Sequence, residues 1–175
     1  MAASLFVSRQ EGVAVRVCRD LVSMRTEKPL QFIDLTALVA ERVRRSGVGD
    51  GIVTVQSRHT TAAIVVNENE PLLLADLEDL LEGWAPAGRR YRHNDLAARG
   101  PVDPDEKPNG HAHARALMLG TSITLNVAGG RIDLGRWQSI FLVELDGPRK
   151  RAISVQVLGA PAGDPTSSCT RSPSS

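Results

Sequence analysis

The residues of this chain best suited to chemistry are its four histidines, all of which stand beside polar, loop-forming residues. His93 is followed two residues later by Asp95, and His111 and His113 come at the end of the same Pro- and Gly-rich stretch. His59 follows a separate apolar run. An imidazole in such surroundings can carry a proton near neutral pH or ligate a metal. We therefore expect a functional site built on histidine.

His59, His93 and His113 are the three histidines that we expect to meet, as metal ligands. Three imidazoles, or two and a carboxylate, can hold a divalent ion such as Zn²⁺ or Mg²⁺ and leave one position open for substrate. On a helix, His111 and His113 would not face the same way, so only one would reach the site, whereas in an extended segment both would point the same way. No HExxH or CxxC spacing specifies a metal. Each histidine could equally be a surface or capping residue.

Carboxylates near these histidines complete the predicted catalytic set of His93, Asp95 and Glu144. Asp95 lies beside His93, and Glu144 interrupts an otherwise apolar strand candidate over residues 140–145. A carboxylate in that position either faces solvent or is a buried acid with a partner.

Six further side chains are candidates for binding a substrate: Asn67, Glu68, Arg92, Trp137, Gln138 and Arg149. Asn67 and Glu68 join a strand end to a helix start, where capping is the alternative role. Trp137 could stack on a flat ring, although a lone Trp is usually packing. Arg149 follows a turn and could pair with a phosphate, although basic residues there are most often solubilising.

Composition excludes several classes of protein. The chain has 175 residues, 42% of them hydrophobic and 3% aromatic, which predicts one domain with an aliphatic core. The net charge of +1 argues against a sequence-independent nucleic-acid binder. No P-loop or GxGxxG motif supports nucleotide binding of the usual kinds.

The sequence also bears on membrane association and on the cellular location of the protein. No apolar run approaches the roughly 20 residues that span a bilayer, so we expect no membrane partner. The first ten residues lack the pattern of a signal peptide. Cys18 and Cys169 have no metal spacing, and a disulfide between them is not expected. A cytoplasmic protein fits these observations.

Hydrophobic periodicity predicts an α+β fold in which a long loop carries the histidines. Helices are predicted from Thr36 to Gly47, from Glu70 to Gly83 and, as a shorter one, over 112–119. Strands are predicted over 13–18, 52–57, 61–67, 122–127, 131–134, 138–145 and 151–158, in a largely antiparallel sheet. The loop over 85–110 is too long to be a simple connection. An extension over 1–12 and a disordered tail over 161–175 flank the domain over 13–160.

The motifs taken together resemble the secondary thiamine-phosphate synthase family, the YjbQ-like proteins. The resemblance rests on these stretches, in order: His59–Ala63, Asn67–Asn69, Asp76–Glu78, Tyr91–Asp95, Gly110–His113, Leu119–Ser122, Gly130–Arg131, Leu134–Gln138 and Asp146–Arg149. It covers about residues 13–160. The chain departs from the family pattern in a longer insertion over 96–109, in one residue fewer after Glu70, and in its tail.

The resemblance implies an α+β homotrimer with sites near subunit boundaries, and metal-binding roles for His59, His93 and His113. It also implies thiamine-phosphate synthase activity, which joins a hydroxymethylpyrimidine diphosphate to a thiazole phosphate. A metal with Arg92, Arg136 or Arg149 could take up the charge of the departing diphosphate.

Three alternatives to a dedicated synthase remain open. The sequence shows no multi-carboxylate magnesium site, which favours the synthase reaction as a side activity. The pocket could instead serve a hydrolase or another transferase acting on a small phosphorylated substrate. The chain could also be a non-catalytic trimer that binds a metal or metabolite.

Overall fold

The computed structural model describes residues 14–103 and 106–163 of the chain. In chain order the elements are β1 (Arg16–Arg25), β2 (Gln31–Asp34), α1 (Thr36–Ser46), β3 (Val48–Ser57), β4 (Ala62–Asn67), α2 (Pro71–Trp84), a 3₁₀ helix (Arg92–Asn94), α3 (Gly110–Leu119), β5 (Ser122–Ala128), β6 (Arg131–Ile132), β7 (Ser139–Glu144) and β8 (Lys150–Pro161). The strands form two sheets, ordered β1-β8-β3-β5-β6 and β2-β7-β4, and every pairing is antiparallel. The predicted α+β class with three helices is confirmed.

The core lies between the two sheets and is closed at one side by α1. It contains Val53, Val55, Val127, Ile153, Val155 and Val157 of the larger sheet, Ile64, Ile140 and Leu142 of the smaller sheet, and Leu35, Val39 and Val43 at α1. β-branched and leucine side chains fill this space, as expected for strand faces that pack on each other.

The three-stranded sheet is buried on both of its faces. Its second face, with Ala63, Phe141 and Val143, packs against Ala112 and Ala116 of α3. A strand covered on both sides has no polar face, so β7 reads as a continuous apolar run rather than as an alternating pattern. The order of layers is therefore the large sheet, the small sheet, and then α2 and α3, while α1 closes one side of the core between the sheets.

Local signals set the ends of two helices as predicted. The Glu70 carboxylate accepts hydrogen bonds from the backbone N–H groups of Leu72 (3.0 Å) and Leu73 (2.7 Å), while Pro71 occupies the first turn of α2. These two hydrogen bonds lower the pKa of Glu70. At the end of α1, Gly47 adopts a φ of 66°, which favours glycine.

The sheets differ from the prediction in three respects, each caused by pairing. β1 begins at Arg16 and runs to Arg25, beyond the predicted 13–18, because it pairs with β8 along its whole length. β2 was not predicted, and it is only four residues long beside β7. The strands divide into two sheets rather than one. Residues 1–13 and 164–175 lie outside the described ranges, so the predicted extension and most of the predicted tail stay predictions.

One outer surface of the fold is an open β-sheet face. The side of the five-stranded sheet that faces away from the core exposes Val15 (63%), Val17 (59%), Leu21 (58%) and Ile52 (37%).

No helix within 14–103 and 106–163 is long and apolar enough to cross a membrane.

Substitution of Gly51 by alanine is expected to destabilise the large sheet. A Cβ atom on Gly51 would lie 2.1 Å from the backbone oxygen of Leu158 and 2.6 Å from the Cα atom of Gly159. Backbone atoms cannot rotate away, so overpacking should cost about 1–3 kcal/mol of unfolding free energy. Thermal unfolding of Gly51→Ala measures this, with Gly88→Ala as the control because its added Cβ meets nothing within 4 Å. Equal melting temperatures for the two variants would contradict the close approach of β3 and β8.

Candidate active-site cleft

A cleft of about 590 Å³ lies where the turn after β3, the start of α3 and the connection from β7 to β8 meet. It is lined by Arg58, His59, Thr60, Thr61, His93, Arg99, Asp103, Glu106, Asn109, His113, Asp146, Arg149, Lys150 and Arg151. The structure thus brings together the three histidines that the sequence singles out, although they come from three separate segments. The cleft has the size of a small-molecule site.

His59 is held by the backbone of β8. Its Nε2 atom accepts a hydrogen bond of 2.7 Å from the backbone N–H of Ala152, and the carbonyl of Ala152 accepts one of 3.1 Å from the N–H of Arg58. An imidazole that accepts at Nε2 is neutral and carries its proton on Nδ1. Burial, followed by the positive charge of Arg151, lowers the pKa of His59 below its ordinary 6.5. His59 can therefore offer the cleft an N–H donor at Nδ1.

His93 and His113 contact each other edge to face. Their ring centroids are 4.6 Å apart and their planes meet at 68°. Burial, followed by the proximity of His93, lowers the pKa of His113. The Nε2 atom of His93 is buried without a hydrogen bond, and the nearest carboxylate oxygen, on Glu106, is 3.9 Å away. That distance is too long for a hydrogen bond.

His111 faces away from the cleft, as the helical spacing predicts. It packs beside Tyr91, with ring centroids 6.5 Å apart, and its Nδ1 atom is buried without a hydrogen bond. Burial and then the charge of Arg115 lower its pKa. Only His113 of this pair lines the cleft because α3 separates the two side chains.

Glu144 lies beneath the cleft and is fully buried. Its Oε2 atom accepts from Nε of Arg151 (2.6 Å) and from Thr26 Oγ1 (2.9 Å), while Oε1 accepts from Arg151 Nη2 and from the backbone N–H groups of residues 145 and 146 (2.9 and 2.8 Å). Burial raises its pKa, but the hydrogen bonds from Arg151 and the backbone outweigh burial and lower it overall. Both oxygens are thus occupied, which fits a carboxylate that positions Arg151 more than one that contacts a ligand.

The cationic side chains of the cleft differ in whether they already have a partner. Arg149 pairs with Asp146 (2.8 Å) and Arg99 with Glu106 (2.8 Å), and Arg151 is occupied by Glu144. Arg58 and Lys150 are exposed at the cleft and make no ion pair with any residue that the structure describes. A cleft with uncommitted positive charge favours an anionic ligand.

The structure places four of the predicted substrate-binding residues away from the cleft. Asn67 pairs with Ser139, whereas Ala62 pairs with Glu144, so the two ends of β7 are roughly 17 Å apart at about 3.3 Å per residue. Asn67, Glu68, Trp137 and Gln138 lie at the end far from the histidines. The reason is that adjacency to a strand in sequence does not reveal which end of the sheet a site uses.

Trp137 and Gln138 form a turn before β7. Trp137 is 61% exposed, and the guanidinium of Arg136 lies 4.5 Å from its ring centroid. The side-chain oxygen of Gln138 accepts a 2.8 Å hydrogen bond from the backbone N–H of Gly135. Among the residues that the structure describes, no aromatic side chain other than histidine lines the cleft. Arg92 and Asp95 flank the histidine region and do not line the cleft either.

Several cleft residues were missed by the sequence-based list of candidates. Asn109 is buried at 7% exposure and donates from Nδ2 to Asp146 (3.0 Å), and Arg58 and Lys150 are the uncommitted cations. Arg58 directly precedes His59, and Lys150 directly follows Arg149, which was a candidate. Proximity to a candidate residue was the available signal for these two; Asn109 had the weaker signal of its position just before the histidine pair.

The predicted metal site does not fit the arrangement of all three histidines. The lone pair of His59 at Nε2 is used by the N–H of Ala152, so a metal ion there would have to break that hydrogen bond. No group of three or more His, Cys, Asp or Glu side chains in the described part of the chain is placed to hold a metal ion. His93 and His113, in ring contact, are two potential ligands without a third among the described residues.

Stability is expected to fall as pH decreases from 7.5 to 5.5. The pKa values of His59, His111 and His113 are lowered in the folded protein, so the unfolded chain takes up protons first as pH falls below about 6.5. Their contribution is complete above that pH and is lost toward the lower folded-state values. The measurement is the melting temperature across pH at constant ionic strength. His59→Gln, which removes one of these groups, should show a smaller change, and an identical change would refute the neutral buried state of His59.

Comparison with known proteins agrees with this fold. A model of the family described as UPF0047 protein YjbQ-like matches residues 20–160. A UPF0047 protein of Methanothermobacter thermautotrophicus is 43% identical over 150 residues, which cover 86% of this chain and 98% of that protein. The crystal structure of a YbjQ-like protein of unknown function from Sulfolobus solfataricus P2 has a TM-score of 0.76 at 35% identity, covering 83% of this chain and 99% of that one. The chain therefore belongs to the YjbQ-like UPF0047 family.

Proposed function

We propose that the histidine cleft binds a small phosphorylated molecule and catalyses displacement of its phosphate or diphosphate group. One observation carries this proposal. Arg58 and Lys150, which have no ion-pair partner among the described residues, line the same cleft as the His93–His113 pair and the Nδ1–H donor of His59. Positive charge and neutral imidazole are the two kinds of group that such a displacement needs.

The cations would bind and stabilise the leaving group. A phosphate or diphosphate that departs with the bonding electron pair gains negative charge, and fixed positive groups stabilise that charge in the transition state. Arg58 and Lys150 can serve directly. Arg149 is already oriented by Asp146, with Nη2 to Oδ2 at 2.8 Å and Nε donating to the Asp146 carbonyl at 3.0 Å, and would present its charge at a fixed place.

The histidines would move the proton. In hydrolysis or transfer to a hydroxyl, a neutral imidazole accepts the proton of the attacking nucleophile, and burial keeps His113 toward the neutral form. The thiazole nitrogen carries no proton, so in thiamine phosphate formation the pair would instead donate a proton to the departing diphosphate. His93 is in direct ring contact with His113, so a proton on one ring affects the other. We assign the acid–base role to this pair and a binding role to His59, because the lone pair of His59 is held by β8.

Thiamine phosphate formation belongs to this reaction class as a secondary activity of the site. In it, the thiazole nitrogen bonds to the methylene carbon of the pyrimidine, and the carbon–oxygen bond to diphosphate breaks. The cleft residues suit the diphosphate. No aromatic ring among the described residues is placed to stack on the pyrimidine, because Trp137 precedes β7, at the end of the strand opposite to Glu144 and the cleft. Hydrolysis or another transfer on a different phosphorylated substrate uses the same groups, so these are rival substrates for one site.

We also propose that the chain assembles as a homotrimer through the open face of its five-stranded sheet. That face exposes Val17, Leu21 and Ile52 in addition to the polar residues of the strands. Large exposed apolar areas on a sheet are typical of contact surfaces.

Thiamine phosphate formation by the purified protein tests the reaction. With magnesium present, we expect slow turnover that falls at least about 100-fold in His93→Ala, the loss typical of removing an acid–base group. Product is measured by separation of thiamine phosphate from the substrates. Release of phosphate or diphosphate from each substrate alone, followed in the same samples, detects the hydrolase reaction.

The control is Glu41→Gln, which removes an exposed partner of Arg44 on α1, away from the cleft, and should keep the wild-type rate. Equal rates in wild type and His93→Ala would assign the product to a contaminant. Binding of phosphorylated compounds without any turnover would replace the enzymatic proposal by a non-catalytic binding protein.

Measurement of molar mass in solution tests the trimer. Light scattering after size exclusion should give three times the 18.8 kDa of one chain. Leu21→Glu places a charge on the open sheet face and should lower the mass, whereas Leu72→Glu, at an exposed position of α2, should not. If only Leu72→Glu lowers the molar mass, the subunit contact is formed by the surface of α2 and not by the open sheet face.

A further inference from the structure

An ion pair from the insertion forms part of the cleft wall. Nη1 of Arg99 donates to Oε1 of Glu106 at 2.8 Å and approaches the backbone oxygen of His93 at 3.4 Å. The side chains of Arg99 and Glu106 are 30% and 25% exposed, so both are partly withdrawn from solvent. Both belong to residues 96–109, the stretch that the sequence resemblance indicates to be an insertion.

Glu106 places a negative charge inside the cleft, as Asp103 and Asp146 also do, beside the cations that favour an anionic ligand. The hydrogen bond from Arg99 is the main cause that lowers the pKa of Glu106, which keeps the carboxylate charged at neutral pH. Its Oε1 atom, 3.9 Å from Nε2 of His93, makes no hydrogen bond to that ring. Among residues 14–103 and 106–163, the hydrogen-bonded ion pair of this carboxylate is therefore with the cation that an anionic ligand would also need.

We propose that Arg99 is a ligand-binding arm for the second phosphoryl group of a diphosphate, and that Glu106 is its partner while the cleft is empty. This inference rests on the proposed function, and it specifies the substrate class as a diphosphate rather than a monophosphate. Arg58 and Lys150 bind one phosphoryl group. Arg99 leaves Glu106 for the other.

The exchange is favourable because a phosphoryl group offers arginine more than a single carboxylate does. Guanidinium binds phosphate through two parallel N–H donors, and a phosphoryl group carries more negative charge than a carboxylate. A pair that is partly exposed, such as Arg99–Glu106, is screened by solvent and contributes little to stability. The resting pair is thus weak enough to be displaced.

The two possible roles of Glu106 predict opposite results. If Glu106 competes with the ligand for Arg99, its neutralisation frees the arm, removes a repulsive charge and strengthens diphosphate binding. If the pair only supports the wall of the cleft, loss of either partner weakens binding. The sign of the change in Glu106→Gln therefore decides between competition and support.

Calorimetric titration with inorganic pyrophosphate at fixed salt is the test. We expect Glu106→Gln to bind severalfold more tightly and Arg99→Gln about tenfold more weakly, as for loss of a hydrogen bond to a charged group. The double variant should match Arg99→Gln, because without the arm there is nothing for Glu106 to hold. Glu41→Gln, the matched control on α1, should bind like wild type.

Orthophosphate provides a second measurement that does not depend on Glu106→Gln folding well. Wild type should prefer pyrophosphate to orthophosphate, and Arg99→Gln should lose most of that preference. Two results would refute the proposed role of Arg99 as a ligand-binding arm. One is unchanged or weaker pyrophosphate binding in a folded Glu106→Gln variant, and the other is an unchanged preference of Arg99→Gln for pyrophosphate over orthophosphate.

The failure of this inference can be told from the failure of the proposed function. If wild type binds neither pyrophosphate nor orthophosphate, the phosphorylated ligand itself is wrong and both proposals fall. If wild type binds pyrophosphate and the Arg58→Gln, Lys150→Gln double variant weakens it, but Glu106→Gln does not tighten it, only the role of Arg99 and Glu106 is wrong.

Discussion

The buried ion pair between Glu144 and Arg151 joins the two sheets at the end that carries the cleft. Glu144 ends β7 of the small sheet, and Arg151 lies near the start of β8 in the large one. Burying two charges is costly unless further hydrogen bonds satisfy them. Here the backbone at 145–146 and Thr26 saturate the carboxylate, while Nη2 of Arg151 also donates to both oxygens of Thr61 at 3.2 Å. These contacts hold β7 of the small sheet and β8 of the large sheet together at Glu144 and Arg151.

The cleft follows from the alternation of side chains along β8. Because successive residues of a strand face opposite ways, Arg151 points into the protein while Lys150 stays exposed. Ala152, the next residue, has its backbone N–H bound by Nε2 of His59 and its carbonyl bound by the N–H of Arg58. The His59 side chain thus continues the hydrogen bonding between β3 and β8 beyond the end of β3. In β8, therefore, Arg151 packs inside the protein while its neighbour Lys150 is available to a ligand.

Features set by a few neighbouring residues, such as helix ends, could be predicted from the sequence. Features set by which strands pair, such as the division into two sheets, could not. The end of α1 follows from Gly47 and the start of α2 from Glu70 with Pro71, all readable locally. The division into two sheets depends on which strands pair, and no residue pattern encodes it. For the same reason the histidines could be grouped as one site by residue type, whereas Trp137 was grouped with them by its chemical suitability alone. Its place at the far end of β7 is a property of strand direction.

Charge and protonation in the cleft are coupled through the same residues. Apart from burial, the positive charges of Arg151, Arg58 and Arg149 lower the pKa of His59, while Glu144 opposes them. Cations that attract an anionic ligand therefore also keep a neighbouring imidazole neutral while the cleft is empty. A bound diphosphate would offset those cations, so the pKa of His59 would rise. Ligand binding and proton uptake at His59 would then favour each other by linkage. Protonation of His59 would cost the hydrogen bond from Ala152, which is why proton transfer is assigned to His93 and His113.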